Sequence, residues 1–466
     1  MERTKADWLE RLEPHGQTHL LAFWNELNAA ERERLTQQIE AIDFAELAGL
    51  VHGHDEAPDW PALAARATSP PAFRLHDEQP RFSADEAREA GETALRAGRV
   101  GMILVAGGQG TRLGFEHPKS MFAIGPVSGA SLLQILTERL RAISRRYGAA
   151  IPMYMMTSPA THAETVAFTD EFARFGLPAE DFRLFCQGTM PAVDLEGRVL
   201  LAKRDSLAIA PNGHGGMVEA LGRSRCLADA QSRGIDILFY GQVDNPLLQV
   251  CDPTLIGYHL LARSEMTTQV VEKRYPLERV GNVVEIDGRV QIIEYSDLPN
   301  EAAELRDETG RLKLWAGNLA VHVFDVPFLE RVIEHPESLP FHRARKKTPF
   351  LAADGTRVEP NEPNSIKFER FIFDLLPAAN HAIVVEVDPA EAFAPVKNAN
   401  DAETDTPRIA QAMMVALHRR WLREAGAEAP NDVPVEISPL WALDAEDCRR
   451  RGVAGTKFDE PTYLHE

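Results

Sequence analysis

The sequence predicts an α/β fold built on a largely parallel central sheet. Residues 100–106 carry no polar side chain, which is typical of a strand buried on both faces, and the chain then enters a glycine-rich loop. Strand and helix patterns alternate after that loop. A second, largely apolar stretch at 235–243 ends at Asp244 and Asn245. Open α/β sheets place their ligands at this carboxyl edge, so we expect chemistry there.

The composition is that of a globular protein with an acidic surface. The 466 residues include 50 Lys and Arg against 70 Asp and Glu, which gives a formal net charge of −20, and 44% are hydrophobic. This length allows two to four domains. The acidic balance argues against the broad basic field of a non-specific nucleic-acid binder, although a nucleotide ligand remains compatible with it.

Cysteine usage and hydropathy predict the compartment. The cysteines form no CxxC pair, which disfavours a zinc knuckle and a disulfide framework. They are Cys186, Cys226, Cys251 and Cys448. The charged N-terminus has no apolar stretch, and no segment approaches the roughly 18 apolar residues of a membrane span. We therefore expect a cytoplasmic protein with neither a membrane nor a nucleic acid as its partner.

The elements before the glycine loop are predicted by periodicity and capping signals. Apolar residues recur every three or four positions over 7–51, which predicts a small helical region. Prolines punctuate 58–80 and predict a linker. Ser83 and Glu86 form a capping box that predicts a helix over 84–97.

The elements after the loop predict a mixed sheet. Ser131 and Gln134 form a second capping box before a helix that ends near Tyr147, and 152–157 is the next predicted strand. Between about 267 and 323 the strands alternate, with Asp287-Gly288 as a hairpin turn.

The end of the chain predicts a small appendage. A helix over 406–425 is followed by weak strand signals at 433–437. We divide the chain into an N-terminal helical region with its linker, a catalytic domain and a C-terminal region. Their bounds are 1–82, 83–400 and 401–466.

The glycine loop, residues 106–119, reads AGGQGTRLGFEHPK and predicts a phosphate site. Glycine reaches positive φ values that can aim successive amides at one anion. The spacing from Gly108 to Gly114 is one residue too long for GxGxxG, and no Walker Lys follows, so a nicotinamide oxidoreductase and a P-loop ATPase are disfavoured. Arg112 and Lys119 favour a polyphosphate over a plain tight turn.

The loop resembles the signature of the eukaryotic-type UDP-sugar pyrophosphorylases, most closely the UDP-N-acetylglucosamine pyrophosphorylases. Further motifs resemble the same family in the same order over about 100–400. They are Gln187-Gly-Thr-Met-Pro-Ala, Gly213-His-Gly-Gly, Val243-Asp-Asn, Val280-Gly, Ile293-Glu-Tyr-Ser, Ala316-Gly-Asn, Phe371-Ile-Phe-Asp and Pro395-Val-Lys-Asn. This colinearity is more specific than any single motif.

The resemblance implies a Rossmann-like, GT-A-like nucleotidyltransferase fold with a mixed central sheet and small flanking regions. It also implies the reaction of UTP with N-acetylglucosamine 1-phosphate to give UDP-N-acetylglucosamine and pyrophosphate, with Mg²⁺. Two alternatives stay open at this point. One is an enzyme specific for glucose 1-phosphate or for a broad range of sugars. The other is a nucleotide-sugar-binding protein without turnover.

The resemblance further implies residue roles. The uracil would be held by Ala106, Gly107, Gly108, Gln187 and Gly213. The sugar would be met by Gly281, Glu294, Asn318, Phe371 and Phe373. The phosphates would be contacted by Arg112, Lys119 and Lys397, and the metal would be bound by Asp244. His214 and Asn245 complete the substrate-binding set.

Residue types leave some of these roles with competing interpretations. Asp244 could cap a turn with Asn245, and Phe371 and Phe373 are equally well explained as core residues. At the position of His214 the N-acetylglucosamine-specific relatives usually carry Asn. A His at this position resembles the motif of the glucose-specific and broad-specificity enzymes.

The implied reaction needs no general base. A sugar phosphate, with a second pKa of about 6, is already mostly a dianion at neutral pH. The difficulty is repulsion between two anions, so cations and Mg²⁺ should dominate catalysis. Mg²⁺ prefers few carboxylates together with phosphate oxygens and water, which suits a single Asp244.

Overall fold

The computed structural model describes residues 3–53, 58–77 and 79–466. The chain divides into two compact units. The small unit contains Met1–Pro58, Gln187–Met217 and Leu339–Ile372, and the large unit contains Asp59–Cys186, Val218–Ser338 and Phe373–Glu466. The division at 82 and 400 stays a prediction. The small unit joins N-terminal residues to two segments from within 83–400.

The small unit is a helical N-terminus packed on short hairpins. Its α-helices, which confirm the helical region predicted over 7–51, are Lys5–Leu12, Ala29–Glu40 and Phe44–His52. Its antiparallel strand pairs are Thr189–Pro191 with Ile209–Pro211, Leu201–Lys203 with Ser206–Leu207, His342–Lys346 with Ser365–Glu369, and Phe350–Leu351 with Arg357–Val358.

One buried cluster explains why these distant segments belong together. Trp8 and Leu35 of the helices share a core with Val199 and Phe368 of the hairpins. The buried Gln17 amide donates to the carbonyl of Gly197 at 3.0 Å and accepts from the Val199 N–H at 2.9 Å. The hairpins thereby supply apolar cover that the short helices lack by themselves.

The large unit is built on a ten-stranded mixed sheet. In chain order its strands are β1 (Ala72–Phe73), β2 (Val100–Val105), β3 (Met153–Thr157), β4 (Phe182–Cys186), β5 (Ile237–Gln242), β6 (Met266–Glu272), β7 (Asn282–Ile286), β8 (Arg289–Ile293), β9 (Ala316–Asp325) and β10 (Ala382–Glu386). The spatial order is β1-β10-β6-β9-β5-β2-β3-β4, with β7 paired to β8 and β9.

The sheet is parallel except for β9, which runs antiparallel to β5, β6 and β7, and except for the antiparallel pair of β7 and β8. β2 lies parallel to β5, with Val105 opposite Gln242. The carboxyl ends of these two strands therefore meet at one edge of the sheet. The α/β fold class with a mixed sheet is confirmed.

Helices cover this sheet and extend into the C-terminal region. Those of the large unit are Trp60–Arg66, Ala84–Arg96, Leu132–Tyr147, His162–Glu171, Cys226–Ser232, Pro253–Ala262, Asn300–Ala303, Val326–Glu334, Pro389–Ala392, Pro407–Glu424 and Ala445–Arg450. A further helix, Met217–Arg223, begins at the last residue of a small-unit segment. Near the C-terminus Val435–Ile437 pairs in parallel with Thr462–Leu464.

Several local predictions can be checked at residue level. The capping box of Ser83 and Glu86 is present. At the second predicted box only half forms, because Ser131 accepts from the Gln134 N–H at 3.1 Å whereas the Gln134 side chain donates to Glu138. The hairpin turn is confirmed at Asp287, whose φ is +52°, and at the glycine that follows it.

Cysteine state and hydropathy can also be checked. The four cysteines are free thiols. Among the helices of the described residues, none combines the length and the apolar character that crossing a membrane would require.

Two helices of the large unit pack at backbone contact. A Cβ added at Gly257 would lie 1.6 Å from the carbonyl oxygen of Ala87, and one added at Gly91 would lie 1.8 Å from that of Pro253. Helices Ala84–Arg96 and Pro253–Ala262 can approach this closely only because both contact points are glycine.

We therefore expect Gly257→Ala to destabilise the protein by about 1–3 kcal/mol or more, because the backbone of the facing helix must move away. The matched control is Gly49→Ala, a helical glycine whose added Cβ would meet nothing within 4 Å. This control should raise stability by up to about 1 kcal/mol through helix propensity. Melting temperatures of both variants check the prediction, and equal shifts would contradict it.

Candidate active site

The glycine loop closes on itself directly after β2. The buried Ala106 donates its N–H to the carbonyl of Met156 at 2.8 Å, on the neighbouring strand β3. The Lys119 N–H then donates to the Gly108 carbonyl at 3.0 Å, and the Gly110 N–H to that of His117 at 2.9 Å. The two arms of the loop are thereby held together at the carboxyl edge of the sheet.

The loop glycines serve different purposes, and the expectation that they adopt positive φ holds only in part. Gly114 alone of the four has positive φ, at +71°. Gly110 is required by crowding, since an added Cβ would lie 2.7 Å from the Phe115 ring and 2.8 Å from its carbonyl oxygen. At Gly108 an added Cβ would meet nothing within 4 Å, and the Gly107 carbonyl accepts from the Ser158 hydroxyl at 2.7 Å.

An ion pair joins the loop to the strand β5. The Lys119 Nζ lies 3.7 Å from Oδ2 of Asp244, and their side chains are 16% and 14% exposed. Within the part of the chain that the structure describes, neither side chain makes a hydrogen bond. A cation and an anion are therefore held together in largely buried surroundings with their hydrogen-bonding capacity unused.

A third charged group is brought to this edge by residues 392–398, which we call the Lys397 segment. The Val396 N–H donates to the Asp244 carbonyl at 2.8 Å. The buried Asn245 amide donates to the Ala392 carbonyl at 2.7 Å and accepts from the Ala394 N–H at 3.0 Å. Lys397 thus emerges exposed beside Asp244. A substrate contact of Asn245 stays a prediction, whereas its observed bonds position this segment.

The position of Arg112 differs from that of the other cations. It lies in a short 3-10 turn, Thr111–Leu113, and its side chain is exposed. Among the described residues it makes no ion pair. Arg112 therefore shares the loop of Lys119 but does not contact the cluster around Asp244.

Three residues predicted to meet the sugar lie together in the large unit. The Asn318 N–H donates to the Gly281 carbonyl at 2.9 Å. An added Cβ at Gly281 would lie 3.1 Å from Oε1 of Glu294, so a side chain there would press against the carboxylate. Asn318 begins a β-bulge whose Ala320 has φ of +56°, and its Oδ1 accepts from the Ala320 N–H at 2.9 Å. Such a bulge redirects side chains at strand ends.

The remaining predicted residues divide between the two units. Gln187, Gly213, His214 and Phe371 belong to the small unit, and Phe373 belongs to the large unit. The Gln187 side chain is 8% exposed and makes no hydrogen bond within the described chain. Phe373 is buried, as its alternative role in the core predicts.

Within the small unit, Gly213 and His214 are fixed by the backbone that precedes and follows Phe371. Gly213 has φ of +83°, and an added Cβ would lie 2.3 Å from the Arg370 carbonyl oxygen, so no other residue fits. The His214 Nδ1 accepts from the Ile372 N–H at 3.3 Å. Burial lowers the pKa of His214 to about 4. The ring is thus neutral at pH 7, with its proton on Nε2.

Sequence reasoning missed Lys273, a buried lysine that follows β6. Its Nζ donates to Oδ1 of Asn282 at 2.5 Å and to the Pro276 carbonyl at 3.2 Å. It therefore closes the loop that leads to Gly281. The available signal was a charged residue placed directly after a strand pattern, as at Asp244.

The donor set at this edge fits a divalent ion only in company with phosphate. Within the described residues, no three His, Cys, Asp or Glu side chains are grouped as a metal site. From the described residues the Asp244 carboxylate accepts no hydrogen bond, and Mg²⁺ characteristically combines one or two carboxylates with phosphate oxygens and water.

A cavity of about 1110 Å³ lies elsewhere in the large unit, lined among others by Arg74, Arg139 and Gln269. None of the site residues predicted from the sequence lines it. We therefore place the candidate active site where the charged groups converge and not where the void is large.

The chain is similar to known proteins over most of its length. A family model described as UTP--glucose-1-phosphate uridylyltransferase matches residues 66–446. The chain is 38% identical to UDP-N-acetylhexosamine pyrophosphorylase-like protein 1 of Xenopus tropicalis over 94% of this chain and 88% of that protein. It is 37% identical to the UDP-N-acetylglucosamine pyrophosphorylase of Saccharomyces cerevisiae over 81% of this chain and 80% of that protein.

Among solved structures, the uridine diphosphate N-acetylglucosamine pyrophosphorylase of Trypanosoma brucei, in complex with an inhibitor, superposes with a TM-score of 0.82. It is 27% identical and covers 97% of this chain and 95% of that chain. This similarity supports the nucleotidyltransferase type of the fold.

The buried Lys273 generates a prediction about pH. Burial lowers its pKa to about 8 from an ordinary value of 10.5. Between these two pH values the unfolded chain binds more protons than the folded chain, so this group adds stability as pH rises. The slope reaches at most about 1.4 kcal/mol per pH unit.

As pH rises from 8 to 10, the free energy of unfolding of the wild type should therefore increase relative to that of Lys273→Met. Melting temperatures across that range check this expectation, with the exposed Lys457→Met as control. A difference that does not change with pH would contradict it.

Proposed function

Because this chain belongs to the UTP--glucose-1-phosphate uridylyltransferase family, we propose that its active site lies where Lys119, Asp244 and Lys397 converge. The protein is a UDP-sugar pyrophosphorylase, that is, a uridylyltransferase. It joins UTP and N-acetylglucosamine 1-phosphate to give UDP-N-acetylglucosamine and pyrophosphate. The observation that carries the placement is the arrangement of these three charged groups at one edge of the sheet.

The chemistry is an in-line displacement at the α-phosphorus of UTP. An oxygen of the sugar phosphate forms the new P–O bond, and the bond to the β-phosphate breaks with its electrons leaving on pyrophosphate. The attacking group is already a dianion at pH 7, so no side chain has to remove a proton. The protein must hold two anions together and stabilise charge on the leaving group.

The residues of this chain suit those two tasks. Lys119 offers positive charge 3.7 Å from Asp244, Lys397 follows a residue whose N–H donates to the Asp244 carbonyl, and Arg112 offers a bidentate donor from the same loop as Lys119. Gly281, Glu294 and Asn318 form a compact polar group for the sugar hydroxyls and the acetamide. In the small unit, the Gln187 amide makes no hydrogen bond within the described residues, and such a donor and acceptor are the pairing that uracil requires.

Asp244 would hold Mg²⁺ together with phosphate oxygens. A bound Mg²⁺ would neutralise phosphate charge and stabilise the leaving group. Free thiols and the acidic surface also support a cytoplasmic location for the enzyme.

A substrate panel tests the function. Pyrophosphate release should be measured with UTP and N-acetylglucosamine 1-phosphate, N-acetylgalactosamine 1-phosphate or glucose 1-phosphate. We expect the highest kcat/KM with an N-acetylated sugar. A preference for glucose 1-phosphate would establish the first alternative, which His214 favours. No release with any sugar, together with a melting temperature raised by UDP-sugars, would establish a non-catalytic binding protein.

The charge cluster generates a second prediction. Lys119→Met and Asp244→Asn should each lower kcat by about 10²–10³-fold, because both groups act on charge that develops in the transition state. Asp244→Asn should also raise the Mg²⁺ concentration at half-maximal rate. Steady-state kinetics and melting curves measure both effects.

The matched control is the ion pair Lys457–Asp459. Its Nζ and Oδ2 are also 3.7 Å apart, but the side chains are 59% and 66% exposed. Neutralising either of these residues should leave kcat unchanged. If Lys119→Met or Asp244→Asn retained the rate of the control variants, that residue would be excluded from the catalytic cluster.

A further inference from the structure

Asp405 occupies a strained position next to the Lys397 segment. It precedes Thr406, which caps the helix Pro407–Glu424, and its φ is +57°. A residue other than glycine adopts this left-handed conformation at a cost in free energy, although Asp tolerates it better than most. Strain of this kind persists where the surrounding structure holds a residue for a purpose.

The strained backbone of Asp405 holds Lys397. The Asp405 carbonyl accepts from the Lys397 N–H at 2.8 Å and from the Asn398 N–H at 3.1 Å. The Asn398 side chain in turn donates to the Thr404 carbonyl at 2.9 Å. Residues 399–404 therefore form a closed loop whose two ends are tied together at Lys397.

The Lys397 segment is thus fixed along both edges. On one edge Asn245 binds Ala392 and Ala394, and the Val396 N–H reaches Asp244. On the other edge the Asp405 carbonyl holds the next two amides. The backbone is anchored, but the Lys397 side chain is exposed and can adopt many rotamers.

The carboxylate of Asp405 provides a charge that can limit this freedom. It is partly buried, and within the described residues it makes no hydrogen bond and no ion pair shorter than 4 Å. Burial raises the pKa of Asp405, the charge of Lys397 lowers it, and Asp244 raises it; Arg274 and Glu278 act in opposite directions. Asp405 therefore lies within electrostatic reach of both Lys397 and Asp244.

We propose that Asp405 is a positioning residue for uridylyl transfer. Its carbonyl fixes the backbone of Lys397, and its carboxylate keeps the Lys397 ammonium on the side of Asp244, where the phosphates bind. The proposal rests on the phosphate role of Lys397 given under the proposed function. Asp405 itself touches no substrate.

A double-mutant cycle tests the proposal. Asp405→Asn removes the charge but keeps the carbonyl and the tolerance of positive φ. Lys397→Met removes the ammonium, and the third variant combines both. The kcat, the KM for each substrate and the dissociation constant of UTP are measured, together with the melting temperature.

We expect Asp405→Asn to lower kcat by about 10- to 100-fold with KM changed less than about twofold, since misplacing one charged group has effects of this size. In the Lys397→Met background the same substitution should cause no further loss. Asp405→Gly, which relaxes the backbone and also lacks the carboxylate, should match Asp405→Asn. The exposed Asp401→Asn, from the same loop, should behave as wild type.

The outcomes separate this proposal from the proposed function. Unchanged kcat in Asp405→Asn, or an equal loss with and without the Lys397 side chain, would overturn the positioning role. A wild-type rate in Lys397→Met would overturn it too, because there would be no group to position. A wild-type protein without turnover would contradict the proposed function instead. In that case the same double-mutant cycle, applied to the dissociation constant of UTP, would show whether Asp405 acts through Lys397.

Discussion

The ion pair of Lys119 and Asp244 is the interaction on which the site depends. Removing one partner of a largely buried pair leaves an uncompensated charge, which typically costs about 3–5 kcal/mol. This pair is maintained at 3.7 Å, longer than a hydrogen bond, and its partners lie in the segments that follow the adjacent parallel strands β2 and β5. Within the described residues neither side chain makes a hydrogen bond, so at the proposed site a phosphate and its cation could add to the pair without first breaking tight bonds.

The rest of the large unit can be understood as support for this pair. β2 and β5 bring the segments that hold its partners to a common edge. The closed glycine loop fixes the backbone of Lys119 through its N–H. Asn245 converts the end of β5 into an anchor for a third charged group. The bulge in β9 and the turn at Gly281 position the residues proposed to meet the sugar in the same way. Backbone hydrogen bonds, more than side-chain packing, hold the residues of the proposed site in place.

Much of this arrangement could be predicted from the sequence, because strand periodicity and capping are local. The strands ending at Val105 and Gln242, the turn at Asp287 and the helix after Ser83 follow from residues within a few positions of each other. Which segments of the chain form the small unit could not be predicted in this way. Its core contains both Trp8 and Phe368, and only the folded chain brings such distant residues into one cluster.

The residues that sequence reasoning missed share a physical cause. Lys273 and Asp405 act through burial and through carbonyl groups, and neither of these can be read from residue type. A lysine looks like a surface residue until its Nζ is enclosed, and an aspartate before a helix looks like an ordinary cap. Asn245 has a structural task that its type does not reveal, since its amide holds the backbone of Ala392 and Ala394, while its substrate contact stays a prediction. In a site that works by alignment of charges, the groups that hold the charged side chains in place are as necessary as the charges themselves.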